Sequence, residues 1–84
     1  MSRIMIVEDE AIILSLIKTY LLNLQYEIAA EACSGEEAIR LVKTVKPDII
    51  LMDISIPGDY DGIRTAQEIL KEQNIPIIFL TSHT

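Results

Sequence analysis

Pro47-Asp48-Ile49-Ile50-Leu51-Met52-Asp53 is the stretch on which the fold turns. Four consecutive apolar residues, bounded by a proline and an acid, are too short for a buried helix and read as a strand. Apolar on both faces, such a strand belongs inside a parallel sheet covered by helices on each side. Upstream, Ser34-Gly35-Glu36-Glu37 has the pattern of a capping box, with the Ser34 hydroxyl aimed at an amide near Glu37 and Glu37 reaching back. The helix it opens carries Ala38, Leu41, Val42 and Val45 on one face and must stop before Pro47. Further upstream lie a second strand over Glu27 to Ala32, a helix over Ala11 to Leu24, and a first strand, Ile4-Met5-Ile6-Val7. The first helix has apolar residues at Ile12, Ile13, Leu16, Ile17, Tyr20, Leu21 and Leu24.

Downstream of Asp53, Pro57 and Gly58 mark a loop that runs to Tyr60. Asp61 caps a third helix, with Ile63, Ala66, Ile69 and Leu70 expected to face inward. Pro76 ends it, and Ile77-Ile78-Phe79-Leu80 forms a fourth strand. The order β-α-β-α-β-α-β predicts an α/β domain, a doubly wound parallel sheet with right-handed crossovers. Such a domain would add a further helix, strand and helix, so residues 1–84 are expected to be its N-terminal two-thirds.

The 84 residues suffice for one domain, and half of them are hydrophobic, enough for a packed core. Thirteen acids against seven lysines and arginines give a net charge of −6, which argues against direct nucleic-acid binding and suits a cation or a basic partner surface. Cys33 is the single cysteine, which fits a reducing compartment. No signal peptide pattern is present, because Glu8, Asp9 and Glu10 interrupt the first apolar run, and no run reaches membrane-spanning length. A soluble, cytoplasmic protein is expected.

Ligands of parallel sheets bind beyond the carboxyl ends of the strands. Glu8 and Asp9 follow the first strand, Asp53 ends the third, and Thr81, Ser82 and His83 follow the fourth. Three carboxylates brought together repel one another, a conflict that a hard divalent cation such as magnesium removes. A carboxylate there can also act as a nucleophile on phosphorus. Taken singly, Asp9 reads equally well as a helix cap and Asp53 as a turn residue; their joint placement favours a site.

Together these pieces resemble the receiver domain of two-component response regulators. The resemblance rests on Ile4-Met5-Ile6-Val7-Glu8-Asp9-Glu10, Pro47 to Ile54, Pro57, Asp61-Gly62 and Pro76-Ile77-Ile78-Phe79-Leu80-Thr81, in that order along the whole chain. It implies a flavodoxin-like (βα)5 receiver fold and a phosphorelay signalling switch rather than a turnover enzyme. Asp53 would be the phospho-acceptor. Asp9 would ligate Mg2+ directly, Glu8 through a water, and Asp53 and the Ser55 carbonyl would complete the protein ligands. The Thr81 hydroxyl would bond the phosphoryl group and report it, while Ser55 and His83 would tune its lifetime. The donor would be a sensor histidine kinase, a phosphotransfer protein or a small acyl phosphate; the sequence does not name the output domain.

Two departures from the family pattern stand out. Gly58-Asp59-Tyr60 makes the loop one residue longer than the commonest form. The family's lysine and aromatic switch residue lie on a fifth strand, which these residues do not reach. Two other readings stay open: a receiver-like binding module that works without phosphorylation, and an aspartate-nucleophile phosphohydrolase. Ser55 stands where the phosphohydrolase would have its second acid. An exposed edge on the fourth strand would invite self-association. Among the remaining residues, Met5 and Met52 read as core, Cys33, Tyr20 and Tyr26 as packing residues, and Tyr60 as a loop residue beside the acceptor.

Overall fold

β1 (Arg3–Val7) is short and apolar, and it sits at the heart of a parallel sheet because both its faces have something to bury. The computed structural model describes residues 2–81. β1 is followed by α1 (Ala11–Asn23), β2 (Glu27–Ala32), α2 (Gly35–Val45), β3 (Ile49–Asp53), α3 (Gly62–Leu70) and β4 (Ile77–Leu80). The strands are parallel, in the order β2-β1-β3-β4. The expected elements are all present, and β3 runs one residue further than its apolar run, to Asp53.

Strand alternation splits the core in two. Met5, Val7, Ile50 and Met52 point to one face, where Ala38 and Val42 of α2 and Ile69 of α3 cover them. Ile4 and Ile6 point to the other, against Leu21, Leu14 and Ile17 of α1, with Ile28, Ile49 and Leu51 beside them. The result is the flavodoxin-like three-layer arrangement expected for a receiver.

α2 ends where expected: Lys46 takes a left-handed conformation (φ 52°) at the cap, directly before Pro47. Arg3 secures that end by donating from Nη1 to the carbonyls of Val45 and Lys46. At the other end Ser34 Oγ accepts from the Glu37 amide at 3.1 Å, but Glu37 reaches one residue further back than the capping-box pattern, to the Cys33 amide at 2.7 Å.

Three packing expectations are corrected. On α3, Ala66 and Ile69 are buried, but Ile63 and Leu70 are exposed and Thr65 takes an inward position. On α1, Ile12 (77% exposed), Leu16, Tyr20 (70%) and Leu24 point away from the sheet, so Tyr20 is not a packing residue, and neither is the exposed Tyr26. A nearly all-apolar helix has no sequence stripe to say which side turns inward. Cys33 is also exposed, because it lies just past the last residue of β2, where the chain has left the sheet.

Candidate functional site

β1 lies between β2 and β3, so the chain leaves β1 towards one side of the sheet and later returns on the other. The crevice between the carboxyl ends of β1 and β3 is therefore the topological switch point. Glu8 and Asp9 leave β1 there, and Asp53 is the last residue of β3. One carboxylate oxygen from each of the three lies within 4.8 Å of the other two.

The three acids are not equivalent. Glu8 (1% exposed) and Asp53 (2%) are buried, whereas Asp9 is exposed. The backbone of Glu8 is pinned by its amide bond to the Ala32 carbonyl, 3.0 Å. Its Oε2 accepts from the Glu10 amide at 3.1 Å, turning the chain into α1. Asp9 therefore does not cap α1: Glu10 holds the N-cap position, with no side-chain capping bond. Asp53 Oδ1 accepts from the Ser55 amide at 3.0 Å, which starts the β3–α3 loop.

Burial pushes the Glu8 carboxyl up to about 7, with the Asp53 and Asp9 carboxylates adding to it and the Glu10 amide pulling the other way. Such a cluster holds a proton it would release to a cation. The donor set is all oxygen and anionic, the chemistry of a hard divalent metal. Glu8, Asp9 and Asp53 could hold such an ion together.

The loop after Asp53 is fastened by α3. Asp61 Oδ1 accepts from the Arg64 amide at 2.8 Å, the expected cap. The Gly62 amide donates to the Ile54 carbonyl at 2.9 Å. Gly62 sits so close to the end of β3 that a Cβ there would lie 2.7 Å from Ile54 Cα and also strike the Asp53 carbonyl. Buried Thr65 donates from Oγ1 to the Tyr60 carbonyl at 3.3 Å, and Arg64 stacks over the Tyr60 ring at 4.4 Å. The longer loop is thus folded back on α3, and Tyr60 is half-buried and not free.

Sequence reasoning missed the supporting roles of Gly62 and Thr65. The glycine in Asp61-Gly62 was a signal, since nothing about a helix's first turn calls for one; Thr65 left no signal. Ser55 is exposed beside Asp53. Thr81 is exposed and directly follows Leu80, the register partner of Asp53. Ser82 and His83 lie outside the described residues. Among the described residues no helix is long and apolar enough to cross a membrane.

Known proteins resemble this chain in both sequence and fold. Residues 4–84 match the family model of the response regulator receiver domain. The transcriptional regulatory protein PdtaR of Mycobacterium tuberculosis is 41% identical over 80 residues, covering 95% of this chain and 38% of that protein. The chemotaxis protein CheY of Thermotoga maritima is 40% identical over 77 residues, 90% of this chain and 63% of that protein. In structure, the signal receiver domain of a modulated diguanylate cyclase from Desulfovibrio desulfuricans matches with a TM-score of 0.93 and 36% identity, covering 100% of this chain and 67% of that one. The chain thus spans between about a quarter and two-thirds of the curated relatives it matches. With its parallel sheet, its acid cluster at the β1–β3 switch point and a family match over nearly its full length, the chain belongs to the response regulator receiver domains of two-component signalling.

Proposed function

We propose that this receiver accepts a phosphoryl group on Asp53 and passes the change on through its partner contacts. One observation carries the reading: a buried carboxylate at the carboxyl end of the central strand, with two further acids within 4.8 Å. An oxygen of Asp53 attacks phosphorus, the P–N bond of a donor phosphohistidine breaks, and the departing ring nitrogen takes the bonding pair and a proton from solvent. The product is an acyl phosphate on Asp53.

In-line attack needs the carboxylate held still, and the chain does this locally. The Ser55 amide fixes Asp53 Oδ1, and Gly62 holds the following peptide through the Ile54 carbonyl. Glu8, Asp9, Asp53 and the Ser55 carbonyl would hold Mg2+, which when bound neutralises charge on the phosphoryl oxygens. The Thr81 hydroxyl, one residue beyond Leu80, would bond the phosphoryl group and report its presence, with Ser55 and His83 tuning its lifetime. A sensor histidine kinase or a phosphotransfer protein supplies the phosphoryl group.

Intact mass after incubation with magnesium and acetyl phosphate tests the reading. Gain of one phosphoryl group, absent in Asp53→Ala, is the expected result. No gain in the wild-type chain with magnesium present sinks it for this chain and leaves a receiver that binds partners without phosphorylation.

A further inference from the structure

The peptide that joins Ala32 to Cys33 is gripped on both sides. Val7 and Ala32 are the last register pair of β1 with β2, and the Glu8 amide adds one more rung by donating to the Ala32 carbonyl at 3.0 Å. The N–H of that same peptide belongs to Cys33, and it donates to Glu37 Oε1 at 2.7 Å. A single peptide unit thus lies between the backbone of Glu8 and the side chain of Glu37. Because the unit is planar, fixing its N–H also fixes the direction of its carbonyl.

The acceptor stands on a firm base. Glu37 lies in the first turn of α2, where its own amide donates to Ser34 Oγ at 3.1 Å. Gly35 and Ala38, on either side of it in the helix, are buried. Gly35 packs so tightly that a Cβ there would strike the Tyr60 carbonyl. The Cys33 amide holds the Glu37 carboxyl below the ordinary carboxylate range, so it is charged at neutral pH. An N–H bonded to a charged acceptor polarises its peptide, and the carbonyl of that peptide becomes the stronger acceptor for Glu8.

We infer that Glu37 is a positioning residue for the acid site: through the Ala32–Cys33 peptide it fixes the backbone of Glu8, and with it the carboxylates of Glu8 and Asp9. Glu37 is not one of the three clustered acids and acts on them only through that peptide. Glu8 and Asp9 are consecutive, so a tilt of the peptide would displace both from Asp53 at once. The inference rests on the reading of Glu8, Asp9 and Asp53 as a metal site. It gives Glu37 a task beyond capping α2, and explains why its carboxylate goes to the Cys33 amide and not to that of Ser34.

Three variants, compared by amide hydrogen exchange without metal and by Mg2+ titration calorimetry, test this. Glu37→Ala removes the acceptor and its charge. Glu37→Gln removes the charge and keeps an acceptor oxygen. Ser34→Ala removes the capping bond and keeps the Glu37 carboxylate. The Glu8 amide should exchange at least about tenfold faster in Glu37→Ala than in Ser34→Ala, and Mg2+ should bind about tenfold more weakly. Glu37→Gln should recover most of both. Glu8 exchange and Mg2+ affinity that are alike in Glu37→Ala and Ser34→Ala overturn the inference and leave Glu37 a helix cap. So does a Glu37→Gln that binds Mg2+ as weakly as Glu37→Ala, which would trace the effect to charge acting through space. Failure of the phospho-acceptor reading looks different: the wild-type chain would take up no phosphoryl group while Glu8 exchange and Mg2+ affinity still separate the variants.

Discussion

β3 and β4 are nearly the same strand in composition, Ile-Ile-Leu-Met against Ile-Ile-Phe-Leu, and they lie side by side in register. Yet Ile50, Met52 and Asp53 are buried, whereas Ile78 and Phe79 are exposed. β3 has β1 on one side and β4 on the other, and α2 and α3 close its Ile50–Met52 face. β4 has one neighbouring strand among the described residues. Apolar composition states a demand for burial; position in the sheet decides whether the demand is met. The comparison also explains why the acid belongs to β3. A carboxylate at the end of a central strand is held by core on several sides, so its position is rigid and its neighbours' charges are felt at low dielectric.

The largest test of that difference is a pair of truncations. Ile50→Ala removes a fully buried side chain and should cost about 2–5 kcal/mol in urea unfolding, whereas Ile78→Ala should cost less than half as much. Equal losses would mean that Ile78 is as buried in solution as Ile50.

A smaller effect is expected at the join between β3 and its helix. Gly62→Ala places a Cβ against the Asp53 carbonyl and Ile54 Cα, and should destabilise the domain by about 1–3 kcal/mol. It should weaken Mg2+ binding, followed by calorimetry, more than does Ile63→Ala on the exposed side of the same turn. Equal binding in the two variants would show that the acid site does not depend on this contact.

A finer test is the pH dependence of the acid cluster. The Glu8 carboxyl is raised from 4.5 to about 7 in the fold. Its contribution to stability is therefore complete below about 4.5 and is lost as pH rises through about 7. The melting temperature of metal-free protein should fall across that window, and Glu8→Gln should flatten the fall. Added Mg2+ should raise the melting temperature more at pH 8 than at pH 5, because protons compete for the same carboxylate. Identical pH profiles for wild type and Glu8→Gln would mean that Glu8 is not the titrating group.

The smallest effect separates the two uses of the loop. Tyr60→Ala removes the ring that Arg64 stacks on, and should cost about 1 kcal/mol or less while leaving phosphoryl uptake at Asp53 unchanged. A large loss of uptake would show that the longer loop shapes the site itself.

The seven elements were legible in the chain because each is punctuated locally. Pro47 and Pro76 precede strands, Ser34 and Asp61 cap helices, and short apolar runs mark the interior strands. Glu8, Asp9 and Asp53 were legible as a cluster for a related reason, since parallel topology sends the ends of neighbouring strands to one edge of the sheet. What the chain could not disclose were matters of relative position. Only packing turns Leu21 of α1 inward and Ile12 and Tyr20 outward, because a helix apolar on every side carries no directional signal. Only burial separates Glu8 from Asp9, adjacent acids of like charge, leaving one to hold a proton near neutral pH and the other in solvent. Local sequence determined what each segment is; the tertiary structure decided which neighbours it has, and burial and the strength of charge depend on neighbours.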